Sequence, residues 1–310
     1  MPTDKIPAPE PGIYPDVDFD TYKSWDAMNL STLCHGKVSM QHLKAAIDGV
    51  YGVTDTEDRL VGRGFHCMSL EGMAAFNERF IVAQPCCGVI KDKKSPRVGQ
   101  ECGSASSARL ESMWFCKTHA PPGCEVPTDY LTPSQVERIV TMCFRLKQHN
   151  AVRLLRKHGG CEVSIVWELG GVKMKSRLDK LIPRDGDWPR TIIDLKKIRA
   201  GKGNHDTFSR AILDYSYHIK AAGYVEAVKQ ATGEDSQFMW IVVEDSAPYS
   251  VGVWECGPST MECGLSELKG LVTAYKGCLA SDRWPGYTFD IRECGLPTYY
   301  LRQFAQMTGA

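Results

Sequence analysis

A chain of 310 residues, 43% apolar and 24% charged, is long enough to bury a sizeable core, and none of its apolar runs nears the 18 residues that a membrane span needs. Its formal net charge is zero, which does not exclude nucleic acid as a partner, because charge can concentrate locally: ten basic residues against four acidic ones fall between Lys173 and Lys202. Thirteen cysteines, an odd number with no export signal ahead of them, weigh against a disulfide framework and toward thiols or a metal.

The chain opens MPTDKIPAPEPGIYPDVDFDTY, Pro-rich and acidic, without the basic start and apolar stretch of a secretion signal, so a cytoplasmic location is expected. Residues 1 to 25 read as a loosely structured arm. Helical patterns follow at 39–50 and, more clearly, over SLEGMAAFNERF at 69–80. From 85 to 125 periodicity disappears and Cys, Gly, Ser, Pro and Lys dominate, as in an insert with its own means of stabilisation. A helix restarts at TPSQVERIV, with Thr132 as N-cap and Pro133 at the first helical position. These breaks divide the chain into an arm and helical part (1–84), the Cys-rich insert (85–125) and the main core (126–310).

The centre is strand-rich. CEVSIVWEL, a Gly170-Gly171 turn and VKMKSRLDKLI predict a hairpin, and PRDGDWPR leads to a third strand, TIIDLKKI. Alternation in the second strand sends Val172, Met174, Ser176 and Leu178 one way and Lys173, Lys175, Arg177 and Asp179 the other, a basic face around one carboxylate. A long helix is expected from about Phe208 to Thr232, capped by Asp206 or Thr207 and stopped by Gly233. Two more strands, QFMWIVVE and YSVGVWEC, a helix near 265–279 and an aromatic-rich tail complete the chain.

Asp194 and Lys196 project from one face of the third strand, and an apolar strand loses stability by burying two charges unless they are compensated. A magnesium or manganese ion held by Asp194 and Asp179 would compensate them, with Lys196 orienting or helping to deprotonate a water, or offsetting charge on a phosphate. The same spacing also fits a surface ion pair on an edge strand. In the insert, Cys87, Cys102, Cys116 and His119 have the ligand types of a structural zinc site, with Cys86 as an alternative first ligand; an iron–sulfur cluster and free thiols are the alternatives.

The order Asp179, then Asp194-Leu195-Lys196, resembles the PD-(D/E)xK nuclease signature. The surrounding text is similar to the phage and prophage exonuclease VIII (RecE-type) family, in IYPDVDFDTYKSW, GRGFHCMSLEGMAAFNERF, GVKMKSRLDKLI, TIIDLKK, FSRAILDYSYHIKAAGYVEA and WPGY. The resemblance implies an α/β restriction-endonuclease-like core, a mixed β-sheet flanked by helices, carrying the small zinc-binding insert. It makes Asp179 and Asp194 metal ligands together with the Leu195 backbone carbonyl, Lys196 the catalytic lysine and His66 the histidine beside the metal; taken alone, His66 also reads as a core residue. Glu162 is either a further acidic member or a solvated strand-end carboxylate. Lys173, Lys175, Arg177, Lys220 and Tyr224 are the expected DNA contacts, although the family's Gln-x-x-x-Tyr is here Lys220-Ala-Ala-Gly-Tyr224. The implied substrate is linear double-stranded DNA resected from its 5′ ends. The implied partners are a single-strand annealing protein or recombinase and further copies of the chain in a ring, with no membrane. An endonuclease or flap nuclease on the same core, or a decayed DNA-binding module, are the rival readings.

Overall fold

Gly170 and Gly171 both take positive φ, 57° and 79°, as a two-residue hairpin turn of matching twist requires, and so the central strands fold back on one another. The computed structural model describes residues 5–51, 56–127 and 129–308. Among them lies a mixed seven-stranded sheet whose strands are β1 (Gly12–Tyr14), β2 (Met28–Asn29), β3 (Gly160–Leu169), β4 (Val172–Ile182), β5 (Thr191–Ile198), β6 (Gln237–Glu244) and β7 (Val251–Glu255), in the order β7-β6-β5-β4-β3-β1. β5 is antiparallel to β4 only from Lys180↔Ile193 to Ile182↔Thr191. Beyond that the two strands part, and β2 takes the vacated edge of β4 at Met174 and Lys175.

Among the described residues, seven helices, α1 (Glu57–Leu70), α2 (Met73–Arg79), α3 (Pro133–Gln148), α4 (His205–Asp214), α5 (Tyr217–Thr232), α6 (Pro258–Ser281) and α7 (Thr298–Thr308), are joined by short ones at Phe19–Ser24, Leu30–Leu33, Met40–Ile47, where a helix is expected, and Val152–Arg156. Alternation along the sheet builds a core on each face. Ile192, Phe238 and Trp240 pack with residues of α5 and α6, while Ile193, Leu195, Ile241 and Val243 pack with residues of α1 and α3. Burial on both sides explains why β5 and β6, which pair in parallel, read as near-continuous apolar runs. Thr132 and Gln135 form a reciprocal capping box at the start of α3. A Cβ at Gly64 would lie 2.7 Å from Ile139 Cδ1, so the glycine lets α1 close on α3.

Three expectations change. The pattern over 69–80 is divided between α1 and α2 at Gly72, φ 95°. The long helix is two, α4 and α5, broken at Ser216 with φ 57°; Asn204 rather than Asp206 or Thr207 caps α4, accepting from Thr207 N–H at 3.1 Å, and Gly233 ends α5 at φ 74° as expected. Residues 1 to 25 are not a loose arm where they are described. β1 pairs with β3, and Ala8 and Trp25 bury Val166 in a small core that would otherwise leave that side of β3 in water.

Candidate active site

Where β4 and β5 part, Asp179 turns its carboxylate into the gap, and Oδ2 accepts a hydrogen bond from Leu195 N–H at 2.7 Å. Glu162 stands opposite, between the Cys161↔Lys180 and Val163↔Leu178 pairs, with φ 52° in place of extended backbone. A non-glycine residue held there costs on the order of 1–3 kcal/mol, an expense that structures tend to retain at functional positions. α1 brings His66, whose Nδ1 lies 3.6 Å from Asp179 Oδ2. One ligand atom from each of His66, Glu162 and Asp179 lies within 4.8 Å of the other two.

Asp194 and Lys196 stand beside this trio, ion-paired at 2.6 Å through Oδ2 and Nζ. Asp194 is 7% exposed, so the pair is not a solvated surface contact. α5 covers it: Lys196 Nζ lies 5.5 Å and Lys220 Nζ 5.7 Å from the centre of the Tyr217 ring, which faces both ammonium groups.

The electrostatics follow from crowding four acid or imidazole groups into a half-buried fork. Burial, then the Lys196 ammonium, holds His66 down at about 4, so its imidazole is neutral at pH 7 and keeps a lone pair for a metal. Burial and then Asp194 push Asp179 up to about 7. Burial and Asp179 also raise Glu162, against the pull of Arg177, whose Nε donates to Glu162 Oε2 at 2.8 Å. Burial alone would lower Lys196, but Asp194 and Asp179 outweigh it and the ammonium is held above its usual range. Burial and Lys196 lower Lys220. Two carboxylates and a neutral imidazole, with side-chain exposures of 26% at His66 and 15% at Asp179, form an accessible, oxygen-rich donor set that fits a divalent cation.

The expected DNA-binding face of β4 is covered by the chain's own N-terminal residues. Lys175, 4% exposed, donates to the carbonyls of Tyr22, Lys23 and Trp25 at 3.0, 2.8 and 2.7 Å. Arg177 binds Glu162, Val17 O and Ser164 Oγ, and Lys173 Nζ approaches Ala8 O at 3.5 Å. The N-terminal residues lie over this face, and its cations tie them down. Tyr224 stacks on Phe238, ring centres 6.2 Å apart, at the edge of the core.

A different basic surface adjoins the site. The walls of a cleft of about 370 Å³ include Arg199, Lys202, Arg210, Tyr215 and Tyr217, together with Asp214 and the ion-paired Lys197 and Asp58, and Tyr217 is the wall it shares with Lys196. Arg199, Lys202 and Arg210 are exposed, and Tyr215, 62% exposed, stacks on Tyr217 with centres 5.5 Å apart. Arg199 and Lys202 belong to the basic run visible in the sequence; Arg210 and Tyr215 carry no signal there.

In the insert, the clustered ligands are Cys86, Cys102, Cys116 and His119. Cys87, the expected first ligand, is not among them: its Sγ is directed at Trp114 O, 3.2 Å away. Adjacent cysteines project to opposite sides of an extended segment, and the alternative, Cys86, is on the ligand side.

A mixed sheet flanked by helices, with an acidic residue at a strand fork opposite an Asp-x-Lys strand, defines the restriction-endonuclease-like class. The sequence matches the PDDEXK-like domain of unknown function (DUF3799) over residues 21–297, and the chain belongs to that family. Its fold is similar to a solved structure from Eubacterium rectale named "Putative exonuclease", with a TM-score of 0.56 and 14% identity over 89% of this chain and 92% of that one. Among curated proteins no match was found.

Proposed function

We propose that this chain is a divalent-metal-dependent deoxyribonuclease that degrades linear double-stranded DNA from its ends, 5′ to 3′, and leaves 3′ single strands for phage-type homologous recombination. The observation that carries the reading is the fork itself: His66, Glu162 and Asp179 within one ion's reach of each other, with the Asp194–Lys196 pair alongside. His66, Glu162 and Asp179 would hold the cation; the resemblance makes Asp194 and the Leu195 carbonyl ligands as well, although Asp194 is ion-paired with Lys196 and outside that cluster. When bound, such an ion polarises a phosphoryl oxygen and lowers the pKa of water.

The chain's own groups supply the rest. Lys196, kept as an ammonium by Asp194, stabilises negative charge growing on the phosphate and is a poor proton acceptor, which favours the electrostatic role over deprotonation of water. Arg199, Lys202 and Arg210 hold the strand backbone in the cleft, and Tyr215 offers an unpaired base a stacking face. Lys220 takes a position beside Lys196 where a point charge meets a phosphate. Released 3′ strands would pass to a single-strand annealing protein, and further copies of the chain would form the ring that the resemblance implies.

Linear duplex labelled at either the 5′ or the 3′ end, alongside closed circular duplex, tests the reading in magnesium and in chelator. Early release of the 5′ label, with circles intact and no loss in chelator, is the expected outcome; cutting of circles assigns an endonuclease instead.

A further inference from the structure

None of residues 85–125 belongs to any hydrophobic core cluster of the described residues. The insert leaves the main body through a short parallel neck, Ile81–Val82 against Tyr130–Leu131, and runs about forty residues before returning. Its buried residues are Cys86, Cys102, Ser106, Ala108, Trp114 and Phe115. So few apolar side chains cannot offset the entropy of ordering such a segment, at roughly 1–2 kcal/mol of backbone entropy per residue.

We propose that Cys86, Cys102, Cys116 and His119 bind one tetrahedral zinc ion that holds the insert together, a structural metal separate from the fork. One ligand atom from each of the four lies within 4.8 Å of all the others. Cys86 Sγ and Cys116 Sγ stand 3.6 and 3.4 Å from His119 Nδ1. A tetrahedron with Zn–S of about 2.3 Å and Zn–N of about 2.05 Å sets S and N about 3.6 Å apart, so these side chains already have the spacing of a zinc shell.

The backbone is built to produce that spacing. Cys86 N–H donates to Ser104 O, Cys102 N–H to Gly88 O and Gly103 N–H to Cys86 O, at 2.9, 2.8 and 2.9 Å, which lays the first two ligands side by side. A tight turn, His119 N–H to Cys116 O at 3.0 Å, presents the other two. Gly88 makes the approach possible: a Cβ there would lie 2.4 Å from His119 Cβ. All four cysteines of the segment's first half and turn, Cys86, Cys87, Cys102 and Cys116, are free thiols, so no disulfide competes for these ligands. An iron–sulfur cluster, several atoms across, needs its ligands further apart than this.

The test compares neighbours in sequence. Elemental analysis of the full chain, purified without chelator or affinity metal, is expected to find about one zinc per chain, and Cys87→Ser to retain it. Cys86→Ser and His119→Ala are expected to lower zinc occupancy at least fivefold. Because either of those variants can unfold the insert, the wild-type chain is also exchanged with cobalt, which in a tetrahedral thiolate site gives intense visible bands; their appearance supports the site. Absence of zinc from the wild-type chain, iron with labile sulfide in its place, or equal zinc loss in Cys87→Ser and Cys86→Ser overturns the proposal.

Discussion

On the proposed reading, Asp179 is the residue on which metal affinity turns. Its carboxyl, raised to about 7, is largely protonated at pH 6, and a cation must displace that proton. Apparent affinity for manganese is therefore expected to rise about tenfold per pH unit up to about 7 and then level off. Calorimetry in two buffers of different ionisation enthalpy should count close to one proton released at pH 6 and almost none at pH 8.5; an affinity indifferent to pH would remove Asp179 from the shell. Lys196 belongs to a different step. Lys196→Met is expected to cut turnover by about 100-fold or more while leaving duplex binding within a few-fold, since the ammonium acts on charge that develops in the transition state. Lys175 serves neither purpose. Replacing it with Met removes the ammonium that the Tyr22, Lys23 and Trp25 carbonyls share, leaving Trp25 O only its bond from Ala27 N–H, so the melting temperature should fall, by an amount corresponding to about 1–3 kcal/mol, with DNA affinity of the folded protein unchanged.

At the scale of elements, the loop from β5 into α4 and the break at Ser216 create the cleft. Arg199, Lys202 and Arg210 each contribute about one phosphate contact on this reading, so the triple alanine variant should shallow the log–log salt dependence of duplex binding by about 2–3. An unaltered slope would place the DNA elsewhere. The cleft also marks how far the sequence could be read. Asp179, Asp194 and Lys196 were legible because a strand's period of two fixes which side chains share a face. The same period put Lys175 and Arg177 on a common face but could not show that residues 8–25 fold over it. Glu162 joined the site through a backbone conformation, φ 52°, that no residue type announces. Ser216 breaks the helix without glycine or proline, in a segment whose apolar pattern continues on both sides. Cys86 and Cys87 were adjacent and chemically equal until the pairing with residues 102–104 chose one.

For the molecule as a whole, the fork is a place where, on the proposed reading, stability is given up for function. Glu162, Asp179 and Asp194 crowd one partly dry site, and burial disfavours the charged forms of Glu162 and Asp179, so the metal-free chain carries a repulsion that a neutral residue would relieve. Asp179→Asn keeps an oxygen able to accept from Leu195 N–H while removing the charge. The metal-free variant should thus melt at or above the wild-type temperature at pH 8, where the wild-type carboxyl is ionised. A divalent ion that binds only the native state adds RT ln(1 + [L]/Kd), about 2.7 kcal/mol at a hundredfold excess over Kd. For a chain of this length that corresponds to a rise of about 5 °C, extrapolating from about 2 °C per kcal/mol in large domains. Wild type should show the rise with manganese, and Asp179→Asn should not. A calorimetric scan in which both proteins respond equally would mean that the ion stabilises through some other group, and the fork would then have no claim to it.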